Sequence, residues 1–383
     1  MRIAFDSWTL ASRFRHYGTY VYARNLIAEF KKIASNDPDL EFCLFTSKDN
    51  ANDANAIEPG AGFELSRSSL LSRARLWRLG GAAFAAARAR ADLIFSPTCN
   101  ILPVGSVPVV CTIHDAIPIR MPPDAKKVSM LLRFMTACSA KLSCAVITDS
   151  EWSKKDLIEI YGLPESKVSV VYLGYEARVF HESASAEHDS RPLLERLGIT
   201  KPYIVHHGTI QPRKNLARLI AAYRLLLSGN KNLDHDLVLA GGLGWDYDEI
   251  LRAASSQGPG RVILSGALSD QDLATLIRSA SLAVIPSLYE GFCLPMLESM
   301  ACGTPTIAAR ASCLPEVSGG ALRYFDPYSI EDMAACMEEA LENHDLRIEL
   351  SRNGKERAAT FRWDQCAQET LSVFRRHVGN GRN

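Results

Sequence analysis

Short apolar runs alternate with longer stretches of helical periodicity along most of the chain. The runs that predict buried strands are residues 2–6, 42–46, 107–113, 145–148, 168–171, 203–206, 237–240, 262–264, 282–285 and 306–309. The stretches that predict helices are residues 21–33, 154–160, 216–227, 248–254, 270–280, 333–341, 346–359 and 363–377. Strands that alternate with helices in this way are typical of parallel sheets covered by helices on both faces.

The alternation occurs twice, once on each side of a polar segment at residues 181–191. This segment, HESASAEHDSR, has no periodicity and is typical of a linker. We therefore predict two Rossmann-like domains, residues 1–185 and 186–362, followed by an amphipathic helix within residues 363–383. A chain of 383 residues is long enough for two domains of this size.

Composition excludes several classes of protein. Hydrophobic residues make up 47% and charged residues 22% of the chain, and the formal net charge of zero argues against a general nucleic-acid binder. The ten cysteines are scattered without a C-x-x-C pair, which favours free thiols in a reducing cytosol over disulfides or a zinc site. No signal peptide is evident, and no apolar stretch reaches the roughly 18 residues of a spanning helix. The expectation is a cytoplasmic protein.

Two basic segments stand out in the amino-terminal half. Residues 65–91 contain six arginines and no acidic residue, and their apolar side chains can share one side of one or two helices. Residues 126–141 form a second basic segment with several apolar side chains. Each could be an ordinary solvated helix face or a surface for an anionic membrane. Together they favour peripheral contact with the inner face of the cell membrane.

Residues 286–317 combine a strand end, a loop, a helix and a second strand, and they carry two glutamates. Proline is tolerated in the first turn of a helix and not in its middle, so the helix is predicted to start near Pro295. Glu290 then lies in the preceding loop, and Glu298 lies in the first turn. Taken alone, both acids could simply favour a helix amino terminus. Their position at a strand's carboxyl end is also where open α/β sheets bind ligands.

Further polar residues follow other predicted strands. Arg213 and Lys214 lie beyond residues 203–206, where they oppose the dipole of the next helix, so a diphosphate clamp explains them better than helix stability does. His114 directly follows residues 107–113 and is placed for ligand contact. Gly18, before the first helix, could let a phosphate approach the backbone, although a lone glycine more often serves turn geometry.

Four motifs at this spacing resemble glycosyltransferase family 4, whose members are retaining enzymes with the GT-B fold. The motifs are HDAIP, GTIQPRKN, EGFCLPMLE and ACGTP. The resemblance extends from Gly18 to the FRWDQCA segment at Phe361. It implies two Rossmann-like domains with an interdomain cleft and a last helix that crosses back to the first domain.

The resemblance also implies roles for individual residues. Arg213 and Lys214 match the pair that binds the donor's pyrophosphate, while Glu298 matches the acid that accepts hydrogen bonds from the ribose hydroxyls. Glu290 matches a contact to the donor sugar, which His114 is implied to orient. Further donor contacts are implied for Gly18, Gly208, Gly266, Gly291, Phe292, Cys293 and Leu294, with the base near residues 262–268. Thr209 departs from relatives that carry arginine there, which leaves the clamp to Arg213 and Lys214.

A mechanism without a metal or another cofactor follows from these roles. Arg213, Lys214 and a helix amino terminus would stabilise the departing nucleoside diphosphate. Asp246 and Asp248 are interpreted as a helix start rather than as metal ligands. Retention through double displacement needs a nucleophilic carboxylate beside the anomeric carbon. Because the resemblance assigns Glu290 to the sugar hydroxyls, front-face transfer is favoured.

The motif variants are most similar to bacterial mannosyl- or deoxyhexosyltransferases of polysaccharide assembly. The expected reaction moves a hexose, first of all mannose from GDP-mannose, to a lipid-linked saccharide. A UDP-sugar donor remains open. So do a sugar-nucleotide epimerase or hydrolase and a non-catalytic nucleotide-sugar sensor, although the intact Arg213, Lys214, Glu290 and Glu298 argue against a sensor. A pyridoxal-phosphate-dependent phosphorylase is less favoured, because no lysine stands out as a Schiff-base site.

Overall fold

Two parallel β-sheets organise the chain. The computed structural model describes residues 1–10, 18–46, 62–67, 76–99, 101–121, 130–182 and 189–378. The chain divides into one unit of Met1–Gly174 with Arg362–Asn383 and a second unit of Tyr175–Phe361. The domain boundary predicted between residues 185 and 186 lies later in the chain than this boundary between Gly174 and Tyr175. Residues just before the predicted boundary are tied to the second unit, since Arg278 donates hydrogen bonds to the carbonyl oxygens of Val179 and His181, each at 3.2 Å.

The first unit contains a seven-stranded sheet in the order β3-β2-β1-β4-β5-β6-β7. Its strands are β1 (Arg2–Asp6), β2 (Glu41–Thr46), β3 (Phe63–Arg67), β4 (Leu93–Ser96), β5 (Val109–Thr112), β6 (Ala145–Thr148) and β7 (Val168–Val170). All neighbouring strands are parallel. The strand order reverses between β1 and β4, which makes this position the topological switch point of the sheet.

Helices cover the first sheet. They are α1 (Gly18–Asn36), α2 (Ala82–Arg88), α3 (Ile117–Arg120), α4 (Met130–Leu142) and α5 (Glu151–Tyr161), with 3₁₀ turns at Trp8–Leu10 and Glu165–Lys167 and a π-helical turn at Trp77–Gly81. The first residues of the basic segment 65–91, residues 65–67, belong to β3 and not to a helix. Residues 11–17, 68–75 and 122–129, which include parts of the predicted glycine loop and basic segments, lie outside the described residues.

The second unit contains a six-stranded parallel sheet in the order β10-β9-β8-β11-β12-β13. Its strands are β8 (Tyr203–His207), β9 (Asp236–Ala240), β10 (Val262–Gly266), β11 (Leu282–Ile285), β12 (Thr306–Ala309) and β13 (Arg323–Phe325). The order reverses between β8 and β11, so this sheet has its own switch point. Four of these strands, β8, β9, β11 and β12, are buried along their whole length, as expected where both faces of the sheet are covered.

The helices of the second unit follow the predicted pattern with small shifts at their ends. They are α6 (Arg191–Arg196), α7 (Leu216–Gly229), α8 (Asp248–Ser255), α9 (Asp270–Arg278), α10 (Leu294–Ala301), α11 (Leu314–Ser318), α12 (Ile330–Glu342) and α13 (His344–Ala358), with a 3₁₀ turn at Pro212–Lys214. The last helix, α14 (Trp363–Val378), belongs to the first unit, where the Phe374 ring lies 4.9 Å from that of Phe95. No helix in the described part of the chain is both long and apolar enough to cross a membrane.

Candidate functional site

The loops that follow β8 and β11 meet at the switch point of the second sheet. The register pairs Leu282 with Ile204 and Ala283 with Val205, so both strands end at the same edge. Just beyond that edge, the Leu288 amide donates a hydrogen bond to the Arg213 carbonyl oxygen at 2.9 Å. The topology therefore joins two segments that are far apart in sequence.

Arg213, Lys214 and Glu290 form a buried ion cluster at this edge. Arg213 Nη1 lies 2.6 Å from Glu290 Oε2, and Lys214 Nζ lies 2.6 Å from Glu290 Oε1. Glu290 is only 5% exposed and Lys214 only 4%. Burial acts to raise the pKa of Glu290, but the two cations outweigh it and lower that pKa to about 2. All three side chains are consequently charged, with one positive charge in excess.

Neighbouring groups fix the cluster in place. Arg213 Nη1 also donates to the Tyr289 carbonyl oxygen at 3.0 Å. With the Gln211 amide oriented to suit its neighbours, Arg213 Nε and Nη2 donate to its oxygen at 2.9 and 3.0 Å. The Glu290 amide donates to Ser312 Oγ at 2.9 Å, and Ser312 itself has a left-handed φ of 47°. A non-glycine residue in that region stores backbone strain, a feature that clusters at functional sites.

Glycine is required where the backbone approaches Lys214. Gly208 has a φ of 129°, and a β-carbon added there would lie 3.4 Å from Lys214 Nζ. A β-carbon on Gly241, which has a φ of 150°, would lie 2.1 Å from the Gly208 carbonyl oxygen. Gly208 therefore lets the lysine lie against the loop, and Gly241 supports the loop from the neighbouring strand.

Helix α10 begins one residue before Pro295, after Cys293 in a left-handed conformation with φ of 72°. Glu290 lies in the preceding loop, in agreement with the prediction. The prediction that Glu298 lies in the first turn is wrong, because the helix starts at Leu294 and its first turn contains no acidic residue.

Glu298 belongs to a second group of side chains beside the ion cluster. His207 Nδ1 lies 3.5 Å from Glu298 Oε2, and His207 Nε2 lies 3.0 Å from Ser299 Oγ. Burial lowers the pKa of His207 to about 3, so its ring is neutral. Burial, assisted by Asp270, raises the pKa of Glu298 to about 8, which keeps this acid largely protonated at neutral pH.

In the first unit, His114 follows β5 and contacts a carboxylate that follows β6. Its Nδ1 lies 2.7 Å from Asp149 Oδ2, and its Nε2 lies 3.1 Å from the Pro97 carbonyl oxygen. A carboxylate and a carbonyl can only accept, so both ring nitrogens carry hydrogen. Burial acts to lower the pKa of His114, but the charge and hydrogen bond of Asp149, with Asp115, leave it raised. The ring is therefore an imidazolium, and to hydrogen-bond a sugar through Nε2 it would have to release Pro97.

The other predicted residues are distributed over both units. Gly18 is the first residue of α1, and a β-carbon there would have no atom within 4 Å. Gly266 ends β10 with a φ of 70°. Gly291 and Phe292 are buried between Glu290 and α10, where the Phe292 ring lies 5.6 Å from that of Phe361. Gly18 and His114 thus belong to the first unit, and all the other predicted site residues belong to the second.

Sequence reasoning missed several residues that support these groups. Asp149 carries a recognisable signal, since it follows the apolar run 145–148 just as His114 follows 107–113. Gln211 lies inside the GTIQPRKN motif, but nothing local indicates that it holds Arg213. Ser312 carries no signal at all. Within the described ranges, no three His, Cys, Asp or Glu side chains gather as a metal ligand set, and independence from metals and cofactors stays a prediction.

Solved structures identify the fold. The chain matches sucrose-phosphate synthase from Thermosynechococcus elongatus with a TM-score of 0.73 and 19% identity, covering 98% of each chain. It matches the Anabaena protein HepE in complex with UDP and glucose with a TM-score of 0.71 and 21% identity, covering 98% of this chain and 99% of that one. The fold is therefore GT-B, as predicted, with two Rossmann-like units.

Sequence comparisons identify the family. A model described as Glycosyltransferase Family 4 matches residues 18–179, and one described as Glycosyl transferases group 1 matches residues 193–357. The chain is 30% identical over 240 residues to O-antigen chain mannosyltransferase B of Escherichia coli, a match that covers 62% of this chain and 61% of that protein. The chain belongs to the family 4 type of glycosyltransferases and resembles bacterial mannosyltransferases.

Proposed function

We propose that this protein is a retaining hexosyltransferase that moves mannose from GDP-mannose to a lipid-linked saccharide in cell-surface polysaccharide synthesis. The observation that carries the proposal is the buried cluster of Arg213, Lys214 and Glu290 at the switch point of the second sheet. Two cations beside one acid leave a positive charge where open α/β sheets bind ligands. The name of the E. coli relative supports mannose as the transferred sugar.

The cluster suits a nucleoside diphosphate as leaving group. The guanidinium of Arg213 offers five N–H donors and the ammonium of Lys214 offers three, so both can bind phosphate oxygens while they keep contact with Glu290. Because the surrounding hydrogen bonds already hold them, little reorganisation is needed when negative charge develops on the departing phosphate. No metal ion is required for this stabilisation.

Glu290 is a poor candidate for a covalent nucleophile. Each of its carboxylate oxygens lies 2.6 Å from a cationic nitrogen, and its pKa is lowered to about 2. We therefore propose front-face transfer, in which the bond from the anomeric carbon to the phosphate oxygen breaks as a bond to the acceptor oxygen forms on the same face. The departing phosphate oxygen takes the proton of the acceptor hydroxyl, and Glu290 orients the sugar and the two cations.

A UDP-sugar is the second candidate donor. It is favoured by the likeness of the fold to HepE, whose structure was solved with UDP and glucose. The two donors differ in their base, which the family resemblance assigns to the region of β10. A thermal-shift comparison of GDP, UDP and ADP separates them, because a ligand that binds only the native state raises the melting temperature.

Transfer itself is tested with GDP-mannose or UDP-glucose and a lipid-linked saccharide acceptor. We expect a glycosylated product that retains the anomeric configuration, and we expect the double variant Arg213→Ala, Lys214→Ala to lose donor affinity and rate. Lys201→Ala is the matched control, since its exposed side chain pairs with Asp234 on the surface. Sugar-nucleotide hydrolysis or epimerisation without acceptor, or an unchanged double variant, would overturn the proposal.

Membrane contact through the first unit is a further part of the proposal. Phe84 on α2 is 60% exposed and Phe134 on α4 is 61% exposed. The π-helical turn before α2 and helix α4 flank one segment, since the Leu102 amide donates to the Arg78 carbonyl oxygen at 2.7 Å and Ser139 Oγ donates to the Ile101 carbonyl oxygen at 2.9 Å. Exposed apolar side chains among basic residues suit an anionic lipid surface.

Flotation with vesicles that contain phosphatidylglycerol tests this contact. We expect the protein to float at low salt and the double variant Phe84→Ser, Phe134→Ser to float less. Ile348→Ser is the control, because Ile348 is an exposed apolar residue of the second unit. An equal effect of both variants, or no flotation of the native protein, would remove membrane contact from the proposal.

A further inference from the structure

The first sheet has a switch point of the same kind as the second, between β1 and β4. Asp6 ends β1 and Ser96 ends β4, and Ser96 Oγ donates to Asp6 Oδ2 at 3.3 Å across the switch point. Open α/β sheets bind ligands outside the strand ends at such a position. Of the donor contacts implied by the family resemblance, Gly18 follows β1, but Asp6, Ser96 and the residues that contact them have no role assigned to them.

A π-helical turn brings two consecutive side chains to this switch point. The turn spans Trp77–Gly81, and Trp77 Nε1 donates to Asp6 Oδ1 at 3.1 Å. The next residue, Arg78, carries its guanidinium over the Trp8 ring at 5.2 Å from the ring centroid. Isolated π-helical turns occur frequently at functional sites. The turn therefore holds Asp6 through Trp77 and positions Arg78 over the Trp8 ring.

Unlike Arg2 and Arg120 of the first unit, Arg78 has no acidic partner among the described residues. Arg2 contacts Glu41 at 3.1 Å, and Arg120 contacts Asp156 at 2.8 Å. Among the described residues, no carboxylate lies within ion-pair distance of Arg78. Asp6, the nearby acid, accepts hydrogen bonds from Trp77, Ser96 and the Trp8 amide instead.

The Nε atom of Arg78 is buried and has no hydrogen-bond acceptor among the described residues. A polar group shielded from water without a partner costs free energy, and more so when it is charged. A ligand that supplies acceptor oxygens to Arg78 would remove this cost. The planar fork of a guanidinium matches two oxygens of one phosphate group, and stacking on an aromatic ring fixes the plane of the fork.

We propose that Arg78, braced by Trp8 at the switch point of the first sheet, binds a phosphate group of the acceptor substrate. The inference rests on the proposed function, because it requires that the protein takes an acceptor. The inference specifies that the acceptor carries an anionic group, which the guanidinium of Arg78 recognises, and is not a neutral sugar. The phosphate could belong to a lipid carrier or to a soluble sugar phosphate, and the two sources are separated by experiment.

Binding is measured through tryptophan fluorescence, since Trp8 lies under the guanidinium that the phosphate would engage. The probes are farnesyl phosphate for a lipid phosphate and mannose 1-phosphate for a soluble one. Farnesol is the uncharged control, and the Trp8→Phe variant assigns the signal. We expect a saturable change with farnesyl phosphate or with mannose 1-phosphate and none with farnesol. A response to farnesol as large as the response to farnesyl phosphate, or no response to either phosphate, would overturn the inference.

Variants at position 78 test the role of the fork. We expect Arg78→Gln to weaken binding of the phosphate probe at least tenfold, and Arg78→Lys to weaken it less because charge remains. Arg88→Gln is the matched control, since Arg88 is an exposed arginine in the last turn of the nearby α2. An equal loss in Arg78→Gln and Arg88→Gln would indicate general attraction to a basic surface, such as one that docks on a membrane, and would overturn a specific site.

Failure of this inference is distinguishable from failure of the proposed function. The melting temperature of Arg78→Gln and its shift with GDP or UDP report whether the variant is folded and still takes a donor. A native protein that binds a nucleotide but neither phosphate probe contradicts the acceptor site alone. A native protein that binds a phosphate probe but no nucleotide contradicts the donor assignment and leaves the Arg78 site standing.

Discussion

The carboxylate of Glu290 lies 2.6 Å from the Nζ atom of Lys214, and both side chains are almost completely buried. Arg213 contacts the other carboxylate oxygen at the same distance. Taking charges out of water is expensive, and such a group is stable only while each ion keeps its partners. The free protein therefore uses Glu290 to hold two cations at the switch point, where a diphosphate can add further negative charge.

Removal of the Glu290 charge should destabilise the protein and strengthen its response to ligand. Glu290→Gln leaves two cations at a site that water hardly reaches, and we expect a loss of about 3 kcal/mol in the free energy of unfolding. Under the proposed function, a nucleoside diphosphate bound to Arg213 and Lys214 would restore negative charge at that site. GDP or UDP should consequently raise the melting temperature of the variant more than that of the native protein.

Urea unfolding and thermal shift measure both effects. Glu339→Gln is the control, because Glu339 pairs with Arg323 on the exposed surface, where an ion pair contributes at most about 1 kcal/mol. An equal nucleotide-induced shift in the native protein and Glu290→Gln would mean that the cations are not the phosphate ligands.

The sequence predicts ten of the thirteen described strands and misses β3 and β13 at sheet edges and the buried central strand β4. The predicted strands contain short apolar runs, so these runs locate them directly, at the edges β7 and β10 as well as in the centre of the sheets. By contrast, β3 and β13 are edge strands that contain charged residues, and neither was predicted. In β3 the arginine-rich residues that follow masked the strand and suggested a helix instead. An edge strand needs no apolar pattern on both faces, so apolar runs do not detect one that carries charged residues.

The site is predictable where polar residues directly follow buried strands. Arg213 and Glu290 lie in such loops, and the reversal of strand order explains why the loops meet. The direct ion pair between them could not be predicted, because it depends on side-chain rotamers across the switch point. Ser312 could not be predicted either, since its contact with the Glu290 amide arises from the neighbouring position of β11 and β12.

Substitutions of Ser312 should separate backbone strain from function. The left-handed φ of 47° costs roughly 1–2 kcal/mol for a residue with a side chain and little for glycine. Ser312→Gly removes both the strain and the hydrogen bond to the Glu290 amide, whereas Ser312→Ala removes only the hydrogen bond. We expect the glycine variant to be more stable than the alanine variant by about 1 kcal/mol.

Nucleotide affinity should fall in both Ser312 variants, because each leaves the Glu290 amide without its acceptor. Urea unfolding gives the stabilities, and calorimetric titration with GDP or UDP gives the dissociation constants. Native affinity in both variants would show that Ser312 serves the backbone alone. Parallel changes of stability and affinity would indicate a general loosening of the loop.

The contact between His114 and Asp149 should make stability depend on pH. The contact raises the pKa of His114. Its contribution to the free energy of unfolding is therefore fully present below the ordinary histidine pKa of 6.5 and is lost as pH rises through the raised pKa. We expect Asp149→Asn to lower the free energy of unfolding most below pH 6.5 and less at higher pH. Urea midpoints between pH 5.5 and about 9 measure this difference.

Asp156→Asn is the control for this pH dependence. Asp156 contacts Arg120 at 2.8 Å, and an arginine keeps its charge throughout the range. Its loss of stability should therefore persist to high pH, whereas that of Asp149→Asn diminishes. Identical profiles for the two variants would contradict the assignment of His114 as an imidazolium.

The pKa of Glu298 is raised, whereas that of Glu290 is lowered, so Glu298 makes the free energy of unfolding depend on pH near neutrality. Between about pH 4.5 and 8 the unfolded chain has lost the Glu298 proton, while the folded protein still holds it. The unfolded state then binds fewer protons, so this group makes stability fall as pH rises through that window. Glu298→Gln should have a flatter profile there, because its side chain does not titrate.

Nucleotide binding should release the proton that the Glu298 carboxyl group holds. If the ribose hydroxyls donate hydrogen bonds to Glu298, binding favours the carboxylate and releases protons at pH 7, where the free protein still holds them. The calorimetric enthalpy of GDP or UDP binding should then differ between PIPES and imidazole buffers, which differ in ionisation enthalpy. The difference should vanish above about pH 9 and in Glu298→Gln. A buffer dependence that survives in Glu298→Gln would assign the released proton to another group and leave the ribose contact of Glu298 without support.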